Sequence, residues 1–394
     1  MRRFRHHPLA LGALGLLVTV GMATGLAAVG SSGDSGSTYG YLKLFNEVLA
    51  LVRHNYVEAV SEDALMQGAY EGLLASLDGE SEYLTASQYQ MLMSSSSSAK
   101  ATAGILLTRR VGFIFVAAVL PGSDAEAQGV HSGDRLRSIG TRAGTDLSLS
   151  EAQRLLEGAE GSTVKIELSR SEDPGKLDLT IEKRTIGLPG PAMLPADGGV
   201  SVVRVPTFRE GTTPELEKIF SRLEADGVKR VVLDLRGNAW GDPDEAIRSA
   251  ALLAGAGTQA IVRKRGDAEE PLVAKGPRSG WRGEMLLLTN PGTALAAEIF
   301  VAALSDAGVA KQAGERTLGR AGEREVIPLA NGDYLVLTVR KYVSPTGKTW
   351  HGEGLHPAVP ILSDPDIPFE QRSERQLEAA KRWFAESAVE GKAA

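Results

Sequence analysis

Cysteine is absent from this sequence, and aromatic residues make up only 5% of it. Without cysteine the chain can form no disulfide, no thiolate metal site and no cysteine nucleophile, although it can occupy either an oxidising or a reducing compartment. An excess of positive charge is also missing, because 43 Lys and Arg residues face 49 Asp and Glu residues and leave a net charge of −6. This balance gives no electrostatic reason to bind nucleic acid. The 6 histidines have no metal-ligand spacing, so we predict no metal site and no cofactor.

The start of the chain predicts export from the cytoplasm. An uncharged run from Leu9 to Gly30 follows the basic start MRRFRHHP. At about 1.5 Å per residue this run is long enough to span a bilayer as a helix, but a cleavable signal peptide fits the same pattern. We leave both interpretations open. In either case the basic end stays in the cytoplasm, and the rest of the chain is expected in the periplasm or cell envelope, anchored or released.

A strand, a tight turn and a helix follow one another between Gly283 and Arg324. The apolar strand Met285–Leu288 is followed by the turn residues Pro291 and Gly292 and then by a helix of small residues. This order often presents a nucleophile at a helix N-terminus, beside free backbone N–H groups. The segment is therefore the first candidate for an active site.

Two stretches, NPGTALAAEI (290–299) and TLGRAGER (317–324), resemble the active-site motifs of the carboxy-terminal processing proteases. These proteases, also called tail-specific, are extracytoplasmic Ser-Lys peptidases with a PDZ domain. The resemblance implies that Leu295 stands at the nucleophile position, Arg320 at the general-base position and Arg324 at the position of a Gln that orients the base. Leu has no nucleophilic atom, and Arg stays protonated and cannot act as a base. We therefore predict that the catalytic pair has been lost.

The run LDLRGNAWG (233–241) resembles the family loop whose backbone supplies the oxyanion hole. In that family a Pro and two Gly residues end the loop, because a closely approaching backbone needs Gly. Here Ala239 stands at the Pro position and Trp240 at the first Gly position, while Gly241 is kept. We predict that the indole of Trp240 fills the former catalytic pocket.

Residues 101–185 resemble a PDZ domain, most clearly in GSDAEAQGVHSGDRLRSIG (122–140). Such domains bind the C-terminus of a peptide, which adds a strand to the sheet and places its carboxylate against backbone N–H groups. The residues that the resemblance implies for this binding are Ala103, Gly104, Ile105, Leu106, Ala152 and Leu156. The first three belong to the carboxylate loop, and the others are expected to line a side-chain pocket. The alternative is a PDZ fold that only packs against the core.

The fold class that these observations predict is a multidomain α+β protein. It has a helical N-terminal arm, a β-rich PDZ-like domain and, after Gly187, an α/β core in which strands and helices alternate. The predicted segments are a signal peptide or membrane anchor (1–30), a linker (31–38), a helical arm and hinge (39–100), the PDZ-like domain (101–185), the protease-like core (187–365) and a C-terminal helix (366–394).

The function that this sequence favours is that of an extracytoplasmic pseudoprotease. It would bind unfolded or C-terminal polypeptide tails as an adaptor, or regulate an active relative. One alternative is an endopeptidase with displaced groups, for which Thr293 is the nearest hydroxyl. Another is an envelope scaffolding protein that forms a homo-oligomer through the helical arm, although the arm is equally consistent with a cap on the core. The sequence does not identify the ligand.

Overall fold

The computed structural model describes residues 38–96, 101–170, 175–197, 199–266, 268–364, 367 and 369–393. The predicted signal peptide or anchor and part of the predicted hinge lie outside these residues. The chain divides into two compact units, residues 1–69 and 70–394, which are considered separately. Of the helices in the described residues, none is both long and apolar enough to cross a membrane.

The first unit contains the helix α1 (Thr38–Asn55) and the start of α2 (Glu62–Ala75). The helices predicted for the arm are therefore confirmed. Helix α1 buries no side chain, and its apolar residues Leu42, Phe45 and Leu51 are all exposed.

The second unit begins with short elements that lead into a β-rich domain. In chain order they are β1 (Glu82–Leu84), α3 (Ala86–Ser96), β2 (Ala101–Thr102), β3 (Ile105–Arg110), β4 (Phe113–Val119), α4 (Asp124–Ala127), β5 (Arg135–Ile139), β6 (Arg142–Ala143), α5 (Leu149–Leu155), β7 (Glu157–Gly158), β8 (Thr163–Ser169) and β9 (Lys176–Glu182).

The β-rich domain is an antiparallel sheet in the order β3-β4-β5-β8-β9, with helix α5 beside its edge strand β3. Alternate residues of the strands point inward, as the period of two requires, so that Ile105 and Leu107 are buried against Leu149 of α5. Helix α5 begins with a capping box, in which Ser148 and Glu151 each accept a hydrogen bond from the backbone N–H of the other. This domain covers the region predicted to be PDZ-like.

The remaining elements form the core. They are β10 (Ala192–Asp197), β11 (Val200–Arg204), α6 (Thr212–Ala225), β12 (Arg230–Asp234), α7 (Pro243–Ala254), β13 (Gly257–Lys264), β14 (Glu269–Ala274), β15 (Glu284–Thr289), α8 (Ala296–Asp306), β16 (Lys311–Gly314), β17 (Gly322–Pro328), β18 (Tyr334–Val343), β19 (Val359–Pro360) and α9 (Phe369–Ala393).

The centre of the core is a sheet in the order β10-β11-β12-β15-β16-β19, in which every pairing except β10 with β11 is parallel. Both faces of this sheet are covered, which explains the continuous apolar strands. Val231 and Leu233 face the layer of α6, α7 and α8, whereas Val232 faces α9 through Phe384. Parallel strands place their carboxyl ends at one edge, and the candidate site lies there.

A second, antiparallel sheet contains β14, β13, β18, β17 and β1. Asn331-Gly332 is a strong two-residue hairpin signal, and the structure has a hairpin there that joins β17 to β18, with a φ of +91° at Gly332. Strand β1 pairs with β18, so the segment before the β-rich domain is held on the core.

A buried ion pair links the end of β12 to the C-terminal helix. The guanidinium of Arg236 contacts both carboxylate oxygens of Asp234 at 2.8 Å, and it also donates to the carbonyl of Ser373 on α9 at 2.6 Å. Burial on its own raises the pKa of Asp234, but the hydrogen bonds and charge of Arg236 outweigh it and lower that pKa.

Replacing Asp234 with Ala is expected to lower the free energy of unfolding by about 3–5 kcal/mol, because the guanidinium of Arg236 is left buried and uncompensated. Urea unfolding at neutral pH measures this loss. The contribution of Asp234 is present above the pKa of an unfolded aspartate and is lost on acidification, so the difference between the two proteins should shrink at low pH.

The matched control is Asp226→Ala, which breaks an exposed pair with Arg222 (side chains 56% and 73% exposed). This change is expected to cost less than about 1 kcal/mol. Equal losses for the two variants would show that the Asp234 pair has no special structural role.

Candidate functional site

The candidate site is assembled from loops at the carboxyl ends of the parallel strands. One loop follows β12 and the other follows β15, as expected for a crevice in an open α/β sheet. Asn290 joins the loops, because its side-chain oxygen accepts from the backbone N–H of Gly237 at 2.9 Å and from that of Gly292 at 3.1 Å. The N–H of Ala294 donates to the carbonyl of Asn238 at 2.8 Å. The two predicted site loops are thus brought together.

Leu295 has a backbone conformation that leucine rarely adopts. Its φ is 52° and its ψ is −116°, immediately before helix α8 begins. A non-glycine residue at such angles costs on the order of 1–3 kcal/mol and persists only where the surroundings fix it. A sharp, strained strand-to-helix turn of this kind is how hydrolases expose a nucleophile. Here the half-buried side chain at that turn carries no reactive atom.

Glu298 fixes this turn to the segment that follows β16. One carboxylate oxygen accepts from the Thr317 hydroxyl and from the Gly319 N–H at 2.7 Å. The other accepts from the N–H of Arg320 at 2.8 Å and from the N–H of Leu295 at 3.2 Å. Leu295 and Arg320, which the sequence resemblance places at the nucleophile and base positions, are therefore joined through one side chain.

Complete burial raises the pKa of Glu298 to about 7, although its four hydrogen-bond donors act in the opposite direction. The sequence motif contained this residue without indicating its role. The available signal was a lone charged residue among the small and apolar residues of the motif NPGTALAAEI.

Arg320 and Arg324 meet at a single carboxylate, that of Glu80. The Nε atom of Arg320 is 2.7 Å from Glu80 Oε1, and the Arg320 side chain is only 13% exposed. The Nε atom of Arg324 is 3.8 Å from Glu80 Oε2, and its side chain is 30% exposed. Burial lowers the pKa of the Arg320 guanidinium, while the charge of Glu80 acts to raise it. An arginine held in this way is a cation that binds, and it cannot accept a proton.

Sequence reasoning missed Glu80 because it lies 240 residues before Arg320. Its turn is built by Asp78, whose carboxylate accepts from the N–H groups of Glu80 at 2.9 Å and Ser81 at 2.6 Å. Burial alone raises the pKa of Asp78, but these bonds and one from His351 lower it far below its usual range. Asp78 and His351 therefore hold the turn that presents Glu80.

Trp240 lies between the core and the β-rich domain. It is half-buried and packs, together with Leu106 of β3, on an apolar cluster formed by Ala117, Ala118, Ala239, Ala294 and Leu318. Gly241 has a φ of +136°, and a Cβ there would lie 2.6 Å from the backbone of Phe208, so only glycine fits. The strands of the β-rich domain thus contact the loops of the candidate site through small side chains and one indole.

The groove beside edge strand β3 is filled by Gln153 of helix α5. Its side-chain oxygen accepts from the Leu107 N–H at 2.9 Å, and its side-chain nitrogen donates to the Ile105 carbonyl at 2.9 Å. These are the groups that a polypeptide would use if it added to β3 as a strand. The Gln153 amide therefore stands where one peptide unit of such a strand would lie.

The predicted carboxylate loop also satisfies its own N–H groups. The Ala103 N–H donates to the Leu156 carbonyl at 2.8 Å, and the Gly104 N–H donates to the Thr102 hydroxyl at 3.0 Å. Ala103, Ile105, Ala152 and Leu156 are all buried in the core of the domain. In this structure they form a closed groove rather than an open pocket.

The expectation that Leu106 lines this pocket with Ala152 and Leu156 is wrong. Strand residues alternate between two faces, so Leu106 points away from its neighbours Ile105 and Leu107. Its side chain joins the cluster around Trp240 instead.

Thr293, the hydroxyl considered as an alternative nucleophile, is fully buried and already bonded. Its Oγ1 donates to the Leu235 carbonyl at 2.9 Å and accepts from the Asn290 N–H at 3.1 Å. It therefore acts as part of the loop framework.

Comparison with known proteins agrees with this architecture. The model of peptidase family S41 matches residues 199–361, and a PDZ-domain model matches residues 115–170. Among curated proteins, the carboxy-terminal processing protease CtpA of Bacillus subtilis (strain 168) is 29% identical over 316 residues, which are 80% of this chain and 67% of that protein. A probable CtpA-like serine protease of Staphylococcus aureus (strain bovine RF122 / ET3-1) is 27% identical over 323 residues, covering 81% of this chain and 64% of that protein. The chain thus spans about two thirds of these relatives' length.

Among solved structures, a photosystem II D1 C-terminal processing protease superposes with a TM-score of 0.66 at 24% identity. The match covers 84% of this chain and 88% of that one. At this identity the similarity establishes the fold alone.

Because the pKa of Glu298 is raised to about 7, the folded protein binds this proton more tightly than the unfolded chain does. The resulting contribution to stability is present at acidic pH and is lost as the pH rises from the unfolded value of 4.5 through 7. We expect the wild type to lose up to about 3 kcal/mol relative to Glu298→Gln across this range, measured by urea unfolding.

Glu210→Gln changes an exposed glutamate and serves as the control, which should follow the wild-type pH profile. Parallel profiles for wild type and Glu298→Gln would contradict the raised pKa.

Proposed function

We propose that this chain, whose S41 peptidase region and PDZ domain are similar to those of the carboxy-terminal processing proteases, binds polypeptides without cleaving them. The observation that carries the proposal is Leu295 at the strained turn where the attacking atom belongs. An acyl-enzyme requires a nucleophile at that point, and leucine offers none.

The surroundings of Leu295 support the same conclusion. Arg320 is tied to Glu80 and cannot serve as a base, and Trp240 packs in the apolar cluster beside the former oxyanion loop. The scaffold is nevertheless kept, since Glu298 still joins the two halves of the site. A preserved cleft without chemistry is suited to binding.

The ligand that we propose is an unfolded or C-terminal polypeptide tail, bound along β3 of the PDZ domain. For this, the Gln153 side chain must leave the strand edge and release the Leu107 N–H and the Ile105 carbonyl. Binding of the polypeptide is then coupled to the release of Gln153 from β3. Such coupling suits an adaptor or a regulatory partner of an active relative. The basic, then apolar, start of the sequence supports an extracytoplasmic location, anchored or exported.

Purified full-length protein is expected to leave casein, a disordered substrate, intact. A Leu295→Ser/Arg320→Lys double variant is expected to remain inactive as well, because Glu80 would keep a lysine at position 320 protonated. Adding Glu80→Gln and Trp240→Gly should allow measurable cleavage, because the base becomes neutral and the oxyanion loop regains its glycine. Gel analysis of casein over time provides the measurement.

The control for this series carries Arg320→Lys, Glu80→Gln and Trp240→Gly but keeps Leu295. This control protein must stay inactive. Cleavage by the wild type, with contaminating proteases excluded by a serine-protease inhibitor, would overturn the proposal. Thr293→Ala would then be the first variant to examine.

Gln153→Ala is expected to tighten binding of fluorescein-labelled C-terminal peptides about three- to tenfold, because a competing pair of hydrogen bonds on β3 is removed. Fluorescence anisotropy measures the affinity. Gln128→Ala, which alters an exposed glutamine elsewhere in the PDZ domain, should leave it unchanged. If Gln153→Ala weakens binding or leaves it unaltered, the strand edge is not the binding surface.

A further inference from the structure

A small cavity of about 250 Å³ lies where the PDZ groove meets the former base position. Leu107 of β3, together with Leu149 and Gln153 of α5, forms its PDZ side, and Arg320 and Arg324 form its core side. It is too small for a typical small-molecule ligand, but it can accept one amino-acid side chain.

The charges around this cavity do not balance. Arg320 and Arg324 share the single carboxylate of Glu80, whose Oε2 accepts no hydrogen bond from the described residues. The 3.8 Å separation between Arg324 and Glu80 exceeds hydrogen-bond distance. The partly exposed Arg324 guanidinium can therefore donate to another carboxylate. The buried Glu298 also acts on Arg320, but its raised pKa of about 7 leaves it only partly ionised near neutral pH, so the two arginines outweigh the nearby carboxylates at the core side of the cavity.

The PDZ side of the cavity adds no further net charge. Arg154 on α5 is paired with Glu157 at 2.5 Å, and both line the cavity. Glu82 does not line the cavity, and its carboxylate accepts from the Ser150 backbone N–H and hydroxyl. The positive charge of the arginine pair therefore decides what the cavity attracts.

We propose that this cavity binds an aspartate or glutamate side chain of a polypeptide that lies along β3. The edge of β3 at Leu107, which Gln153 must leave before a strand can add there, borders the cavity, so a bound strand would pass in front of Arg324. A carboxylate there can accept two parallel hydrogen bonds from a guanidinium, which a lysine could not provide. The inference rests on the proposed function, since it specifies which polypeptides that groove selects.

Arg320 and Arg324, at the positions that the family resemblance assigns to catalysis, would thus select which polypeptide sequences bind. Arg324 is the residue that contacts the acidic side chain. Arg320 is a positioning residue, because its short contact with Glu80 keeps that carboxylate from neutralising Arg324 completely.

The test measures binding of fluorescein-labelled peptides to the full-length protein by anisotropy at low salt. The peptides share one Gly-Ser-Ala background and carry a single Glu, Gln or Lys, moved one residue at a time along the sequence. At one position near the C-terminus, Glu is expected to bind about tenfold more tightly than Lys. The difference should shrink as salt is added, because Arg324 is partly exposed.

Arg324→Glu is expected to reverse this preference, and Arg324→Gln to abolish it. Arg137→Glu makes the same charge change at an exposed site on β5 and should leave the preference intact. Thermal unfolding of each variant checks the fold, and Arg324→Gln provides the milder change if the reversal variant does not fold. A second peptide set with amidated C-termini should keep the preference, because the side chain is the group recognised.

The other outcomes contradict either this inference or the proposed function. Binding of all peptides with equal affinity would overturn this inference and leave the proposed function standing. A preference that disappears on amidation would assign the cavity to the terminal carboxylate and would also overturn it. No binding of any peptide would refute the proposed peptide-binding function itself.

Discussion

The buried carboxylate of Glu298 is the contact on which the geometry of this site depends. It accepts hydrogen bonds from Leu295 at the first turn of α8 and from Thr317, Gly319 and Arg320 in the segment after β16. A buried carboxylate without these donors would cost several kcal/mol, so the two segments are held together by the requirement to satisfy it. The unfavourable angles of Leu295 are tolerated because this network fixes the turn from both sides.

The network holds the backbone at positions 295 and 320 independently of the side chains that these residues carry. None of the four hydrogen bonds to Glu298 depends on the side chain at position 295 or 320, because both residues contribute only backbone N–H groups. Side chains there can change without dismantling the scaffold. An arginine buried at position 320 requires a counter-ion. The turn that Asp78 stabilises places the carboxylate of Glu80 beside it.

The PDZ domain and the core meet at this point. Leu106 and the alanines of β4 pack with Trp240 on one side, while Leu107 and α5 line a cavity with Arg320 and Arg324 on the other. The same domain therefore packs on the loops of the candidate site through apolar contacts and borders the cavity that Arg320 and Arg324 line. Gln153 occupies the strand edge through hydrogen bonds to Leu107 and Ile105.

The sequence by itself determined the succession of elements and the location of the site. Apolar periodicity, the turn at Pro291-Gly292 and the Asn331-Gly332 hairpin are local signals, because strand, helix and turn preferences act over a few residues. The resemblance of two motifs to a known protease family likewise pointed to Leu295, Arg320 and Arg324, and the chemistry of these side chains follows from residue type. Only the tertiary structure decided which distant side chains contact these residues. Glu80 reaches Arg320, Leu106 turns to Trp240 and Gln153 fills the groove through packing between segments far apart in the chain, and no local pattern encodes such contacts.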